Sequence, residues 1–137
     1  MKINELNGRI IDTKEVYIHD DILHELIFCR LRKRMKLIIE KYEMQNKKYE
    51  IKFTNVIGFE MTSCDFWGRC AHILDFEYVE QDDRVIIPKL FKRKKLESES
   101  SCDFLTEQEN YIETLITFSS GDQLRIACEE IVIEDNS

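Results

Sequence analysis

Proline is almost missing from this sequence: Pro88 is the one example in 137 residues, and there are only four glycines. That scarcity excludes collagen-like, linker-like and low-complexity chains. No CxxC pair occurs among the five cysteines, Cys29, Cys64, Cys70, Cys102 and Cys128, which are odd in number and widely spaced. Reduced thiols are therefore expected, rather than a disulfide framework. No apolar run approaches the length of a membrane span; runs such as Val85-Ile86-Ile87 are far too short. The opening residues Met1–Gly8 show neither an apolar stretch nor a small-residue cleavage pattern, so a cytoplasmic location is expected. Basic residues almost vanish after position 98. Residues 99–137 hold one, Arg125, against ten acidic residues, whereas residues 1–98 hold 19 basic and 17 acidic.

What is present describes a folded domain. An apolar fraction of 43% with 34% charged residues fits one core under a heavily charged surface. The net charge of −7 disfavours nonspecific nucleic-acid binding through a broad positive face. Two windows, Arg30–Lys36 and Lys89–Lys95, nevertheless contain ten of the twenty Lys and Arg residues. The stretch Lys92–Ser101 is polar and aperiodic and predicts a mobile surface loop near 92–103. A domain boundary there would leave about forty residues, too few for an independent core, so residues 1–137 read as one domain.

The clearest local pattern is C-terminal. Tyr111–Phe118 and Gln123–Ile133 are rich in β-branched and aromatic residues and flank Ser119-Ser120-Gly121-Asp122, which predicts a hairpin. The alternation slips by one residue at Glu129-Glu130, where a bulge or strand break is expected. Tyr49, Ile51 and Phe53 alternate with polar neighbours, as do Leu74, Phe76 and Tyr78, giving two further strands. Arg84–Phe91 reads as a strand confined to an edge by Pro88. In residues 16–43, Leu23, Leu26, Ile27 and Leu31 recur at helical spacing, whereas Leu37 and Ile39 alternate as in a strand. Helix and strand both remain open for Ile22–Cys29, with a strand over Met35–Tyr42.

Four groups could carry chemistry. Cys64, Cys70 and His72 could join a zinc site, with His19 or His24 as outside ligands, but zinc needs three or four thiolate or imidazole ligands and usually takes them from paired turns. A cysteine nucleophile needs a nearby base and oxyanion donors; Cys128 falls in an apolar phase and reads as core. His19, Asp20, Asp21 and His24 could bind a metal or transfer protons, yet neighbouring strand residues point to opposite faces, and an aspartate there also caps a helix or tightens a turn. Asp65, Phe66, Trp67 and Arg69 combine a carboxylate, two aromatic rings and a guanidinium in a turn-like segment, the residue types that anchor protein interfaces.

Ile18-His19-Asp20-Asp21, Ile51-Lys52-Phe53-Thr54-Asn55-Val56 and Asp65-Phe66-Trp67-Gly68 together resemble small uncharacterised bacterial β-rich domains. Some of these families resemble immunity proteins that bind and neutralise a partner toxin. The likeness covers about residues 16–80, implies a β-rich fold and a binding role, and transfers no functional residues.

The expected fold is mainly β, with α+β as the variant: an antiparallel β-sandwich or curled sheet carrying zero to two short helices. The expected function is a non-enzymatic protein-interaction domain, immunity-like or regulatory. Its contact surface would be Asp65, Phe66, Trp67 and Arg69, with the acidic C-terminal third steering a basic partner. The partner is expected to be another protein, with no cofactor, no membrane and no nucleic acid, and a homo-oligomer is left open. The alternatives are a small metal-binding or thiol-dependent enzyme using Cys64, Cys70 and His72, and a module holding a ligand within its sheet.

Overall fold

The computed structural model describes residues 2–3, 18, 20–42, 47–62, 71–97 and 110–135. Strict alternation makes most of the strands. In β3 (Arg34–Glu40) and β4 (Lys48–Thr54), Met35, Leu37, Ile39, Tyr49, Ile51 and Phe53 turn inward and are buried, while the residues between them face solvent. In β7 (Ile112–Phe118) and β8 (Gln123–Cys128), Ile112, Ile116, Phe118, Leu124, Ile126 and Cys128 also turn inward, while Glu113 and Ala127 are buried on the opposite face. With β1 (Lys2–Ile3), β2 (Ile22–Cys29), β5 (Gly58–Met61), β6 (Ala71–Tyr78) and β9 (Glu130–Asp135) they build one antiparallel sheet in the order β1-β9-β4-β3-β2-β6-β7-β8-β5.

The sheet is not closed but curls until its inner face packs on itself. Phe53 of β4 and Phe76 of β6 lie three places apart in strand order, yet their ring centroids are 6.3 Å apart. Two corners produce the curl. The chain passes from β8 to β9 through Glu129 alone, and the alternation slips there as the sequence predicts. Alongside, β4 turns into β5 through Asn55-Val56-Ile57. Glu129 N–H donates to the Thr54 carbonyl at 3.1 Å and Ile57 N–H to the Ala127 carbonyl at 2.9 Å, so both corners bend as one ladder. Asn55 takes a left-handed backbone (φ 48°), a conformation asparagine tolerates better than most residues.

Two bulges explain the ambiguous segments. Register shifts between Leu23 and Glu25 in β2 and between Ile73 and Asp75 in β6. An inserted residue lets positions three apart share a face: Leu23 and Leu26 both pack on the core, and Ile73 and Phe76 are both buried. Ile22–Cys29 is therefore a strand whose bulge mimics helical spacing. Leu74 stands on the outer face, contrary to the phase expected for it.

Arg84–Phe91 is not the edge strand that its residues suggest. The segment enters a helix, α1 (Ile86–Glu97), preceded by a 3-10 turn at Gln81–Asp83. Pro88 sits in the first helical turn, where a missing N–H costs no intrahelical bond. The polar stretch expected as a loop is helical from 92 to 97, and residues 98–109 lie outside the described residues.

The helix seats on the outer face over one register row, Gly58–Ala127–Glu113. A Cβ at Gly58 would stand 2.9 Å from Ile86 Cγ2 and 3.0 Å from Leu90 Cδ1, so glycine is required for this approach. Ile86, Ile87 and Phe91 close over Ala127 as a second apolar cluster. Glu113, fully buried, supplies the cap: its carboxylate accepts from the N–H groups of Val85 (2.8 Å), Ile86 (2.9 Å) and Ile87 (3.0 Å) and pairs with Arg125 at 2.8 Å. Three orphan donors at the helix start, and then a proline with none to satisfy, face one carboxylate from another strand.

Removing that carboxylate leaves a half-buried guanidinium and three amides without their acceptor. Glu113→Ala is expected to lower stability by roughly 3–5 kcal/mol, and Glu113→Gln, which keeps an acceptor, by about 1–3 kcal/mol. Urea unfolding checks both; an alanine variant within about 1 kcal/mol of the parent would show that the cap is not needed.

Candidate functional site

Asp20 and Asp21, adjacent in sequence, have separate fates. Asp20 is exposed at a turn with a left-handed backbone (φ 70°), and its carbonyl lies 2.9 Å from His72 Nδ1. Asp21 is buried: its carboxylate accepts the Tyr49 hydroxyl at 2.8 Å and the Tyr42 N–H at 3.0 Å, with Lys41 Nζ at 3.6 Å. It pins the entry of β2 to the adjoining ends of β3 and β4. Burial, the Asp21 charge and this hydrogen bond, in that order, push the Tyr49 hydroxyl far above the ordinary tyrosine range. His24 is exposed on β2 and does not join this network, while His19 lies outside the described residues.

His72 pairs in register with Ile22 and packs edge-on against Tyr42, with ring centroids 5.8 Å apart. Cys64, Cys70, Asp65, Phe66, Trp67 and Arg69 lie outside the described residues. Among the described residues no three His, Cys, Asp or Glu side chains converge as metal ligands. Cys128 is core, as its phase predicts. Burial first, then the charges of Glu129 and Glu130, push its thiol from 9.0 up to about 12, against an opposing backbone hydrogen bond at Glu130. A thiol held protonated in this way is no nucleophile at neutral pH.

Charge is where the fold brings distant segments together. The β2–β3 turn carries Arg30, Leu31, Arg32 and Lys33, and Leu31 is 95% exposed at its tip. None of Arg30, Arg32, Lys33 and Arg34 has an acidic partner among the described residues. The turn is a ridge between two grooves. On one side, the outer face of β2–β4 forms a shallow groove of about 400 Å³ whose lining includes Ile27, Cys29, Arg32, Arg34, Lys36 and Lys52. Two of these cations are balanced: Lys36 lies 3.5 Å from Glu50, and Glu134, at 2.7 Å, holds the Lys52 ammonium above its ordinary value. On the other side, Lys33 faces Arg93 of α1 across a groove of about 290 Å³ floored by Val56, Ile57, Leu90, Phe91 and Tyr111. One cation from each basic window of the sequence thus lines a single groove.

In the acidic third, three of the described carboxylates are engaged within the fold, while Glu129 is exposed at the β8–β9 corner. Glu113 caps α1, Asp122 accepts the hydroxyls of Thr62 (2.7 Å) and Ser120 (2.8 Å) in the β7–β8 hairpin, and Glu134 pairs with Lys52.

The basic end was visible in the sequence only as two separate runs of charge. Their juxtaposition depends on the β4–β5 corner, which no local pattern announces.

No protein-family model matches the chain, and no curated protein matches it. Among solved structures it is similar to an uncharacterised protein from Neisseria gonorrhoeae, at 17% sequence identity and a TM-score of 0.51 over 98% of this chain and 97% of that one. That likeness shows a shared fold. No helix among the described residues is long and apolar enough to cross a membrane.

Two measurements follow. The thiol of Cys128 is protonated in both states below pH 9.0, but between there and about pH 12 only the unfolded chain releases the proton. Stability should therefore fall with rising pH in that window, by up to about 1.4 kcal/mol per unit from this group. Tyr49 acts in the same direction above the ordinary tyrosine range. Urea unfolding at about pH 8 and about pH 11 should show the loss, and Cys128→Ala should reduce it; an unaltered slope would remove the thiol as its source. Elemental analysis should find below about a tenth of an equivalent of zinc, with no change in melting on chelation. A full equivalent would instead favour a centre built on Cys64, Cys70 and His72.

Proposed function

We propose that this chain is a non-enzymatic protein-interaction domain, immunity-like or regulatory, whose contact surface includes the basic end. The observation that carries this is the β2–β3 turn: four cations without acidic partners among the described residues surround an almost fully exposed leucine. Like charges gathered this closely repel one another and add nothing to the fold, so an acidic partner would relieve a cost that the free domain carries. Arginine is enriched in interface cores and an exposed apolar tip supplies area to bury, the two ingredients of an interaction hot spot. Ile27, 43% exposed, extends the apolar area along the outer face of β2. The resemblance to small bacterial β-rich domains, some of them immunity-like, supports the same assignment.

The segment Asp65, Phe66, Trp67 and Arg69 remains a proposed second part of the surface. Affinity capture from the native cell with three baits tests both placements. The parent should recover one stoichiometric protein partner. Leu31→Ser with Arg32→Glu should lose it while melting as the parent does. Loss with Trp67→Ala and Arg69→Ala instead would move the contact to that segment, and recovery by both variants would sink both placements.

A further inference from the structure

The groove between the β2–β3 turn and α1 is amphipathic in a particular way. Its floor is apolar and rigid. Val56 is buried, and the rings of Phe91 and Tyr111 lie 5.9 Å apart at 52°, forming one wall. Val56 N–H donates to the Lys33 carbonyl at 2.7 Å, tying the corner to the turn, while Ile57 N–H is held by Ala127 from behind. Lys33 and Asn55 both keep left-handed backbones, at φ 51° and 48°, so each of these two walls contains a conformation maintained by its surroundings. The rim is cationic on both sides, Lys33 from the turn and Arg93 from the helix, and among the described residues neither has an acidic partner.

Size limits the occupant. At about 290 Å³ the groove stands at the lower end of the roughly 300–1,000 Å³ range of pockets that enclose a drug-sized ligand. It is large enough for an aromatic or branched side chain. A neutral apolar group would fill the floor and leave two cations without counter-charge. A bare polyanion would neutralise the rim and leave the floor empty.

We propose that this groove binds an acidic peptide segment of a partner protein, with one large apolar side chain on the floor and flanking carboxylates on Lys33 and Arg93. The proposal rests on the assignment of the chain as an interaction domain and names the chemistry of its partner. Because the walls are fixed by backbone hydrogen bonds, little ordering of the domain is needed on binding.

The probe is a fluorescein-labelled synthetic peptide, Gly-Asp-Glu-Phe-Glu-Asp-Gly, titrated with the full chain and followed by fluorescence anisotropy at low ionic strength. Binding should weaken about tenfold when the phenylalanine is replaced by serine, and again when the acidic residues become their amides. The double variant Lys33→Glu with Arg93→Glu should lose about tenfold or more, with unchanged melting because both side chains are exposed. Lys48→Glu, a charge reversal at the start of β4, should not.

Several results would overturn the proposal. These are no binding at about 1 mM peptide, equal binding of the serine peptide, retention by the double variant, or equal competition by a single-stranded oligothymidylate. Another is a variant with Glu99→Gln, Asp103→Asn, Glu107→Gln and Glu109→Gln that binds the peptide more than about tenfold tighter, which would assign the groove to the chain's own acidic residues. Failure of the peptide while the capture experiment still yields a partner lost on Leu31→Ser with Arg32→Glu would reject the groove and leave the interaction domain standing.

Discussion

One buried carboxylate organises the outer half of this protein. Glu113 projects from the face of β7 opposite the core, into a place where a charge would ordinarily be costly, and is compensated there by three amides and a guanidinium. The geometry works because its row across the sheet is otherwise small: Ala127 and Gly58 leave a flat seat on which the first turn of α1 can lie. With the helix start fixed, Leu90, Phe91 and Arg93 fall beside the β4–β5 corner. The basic groove is thus a downstream product of the cap. Arg125, the one cation of the last 39 residues, is committed to the same interaction.

The inner half depends on a different constraint, the joint bend of two ladders. Because β4–β5 and β8–β9 turn together, the sheet can cover its own apolar face without closing. Among the described residues the fully buried phenylalanines, Phe53, Phe76 and Phe118, come from strands on both sides of the bend. Each such side chain contributes on the order of a few kcal/mol when buried.

Legibility in the sequence followed locality. The β7–β8 hairpin, the alternation of β4 and the slip at Glu129-Glu130 are fixed by neighbouring residues and could be read directly. The strand β2 was obscured because a bulge beside His24 converts a period of two into an interval of three, and β6 carries the same defect at Leu74. The helix was hidden for a stronger reason. Val85, Ile86 and Ile87 are β-branched, no side chain beside them caps the turn, and the carboxylate that does lies in β7, beyond the helix itself. For the site, the positive charge was legible as two runs, but the meeting of Lys33 with Arg93 is a property of the corner. The segment Asp65–Arg69, the strongest candidate from residue type alone, lies outside the described residues.

The remote cap has a consequence for when the basic groove exists. A helix that nucleates on its own could display its residues in a nascent or partly degraded chain, but the amides that start α1 are held by a carboxylate on a strand made later in synthesis, and a helix this short is marginal without such contacts. Leu90 and Arg93 therefore stand opposite Lys33 only after the C-terminal hairpin has docked. Recognition at this groove is then confined to finished molecules, and a truncated product lacking β7 would be silent rather than a weak competitor.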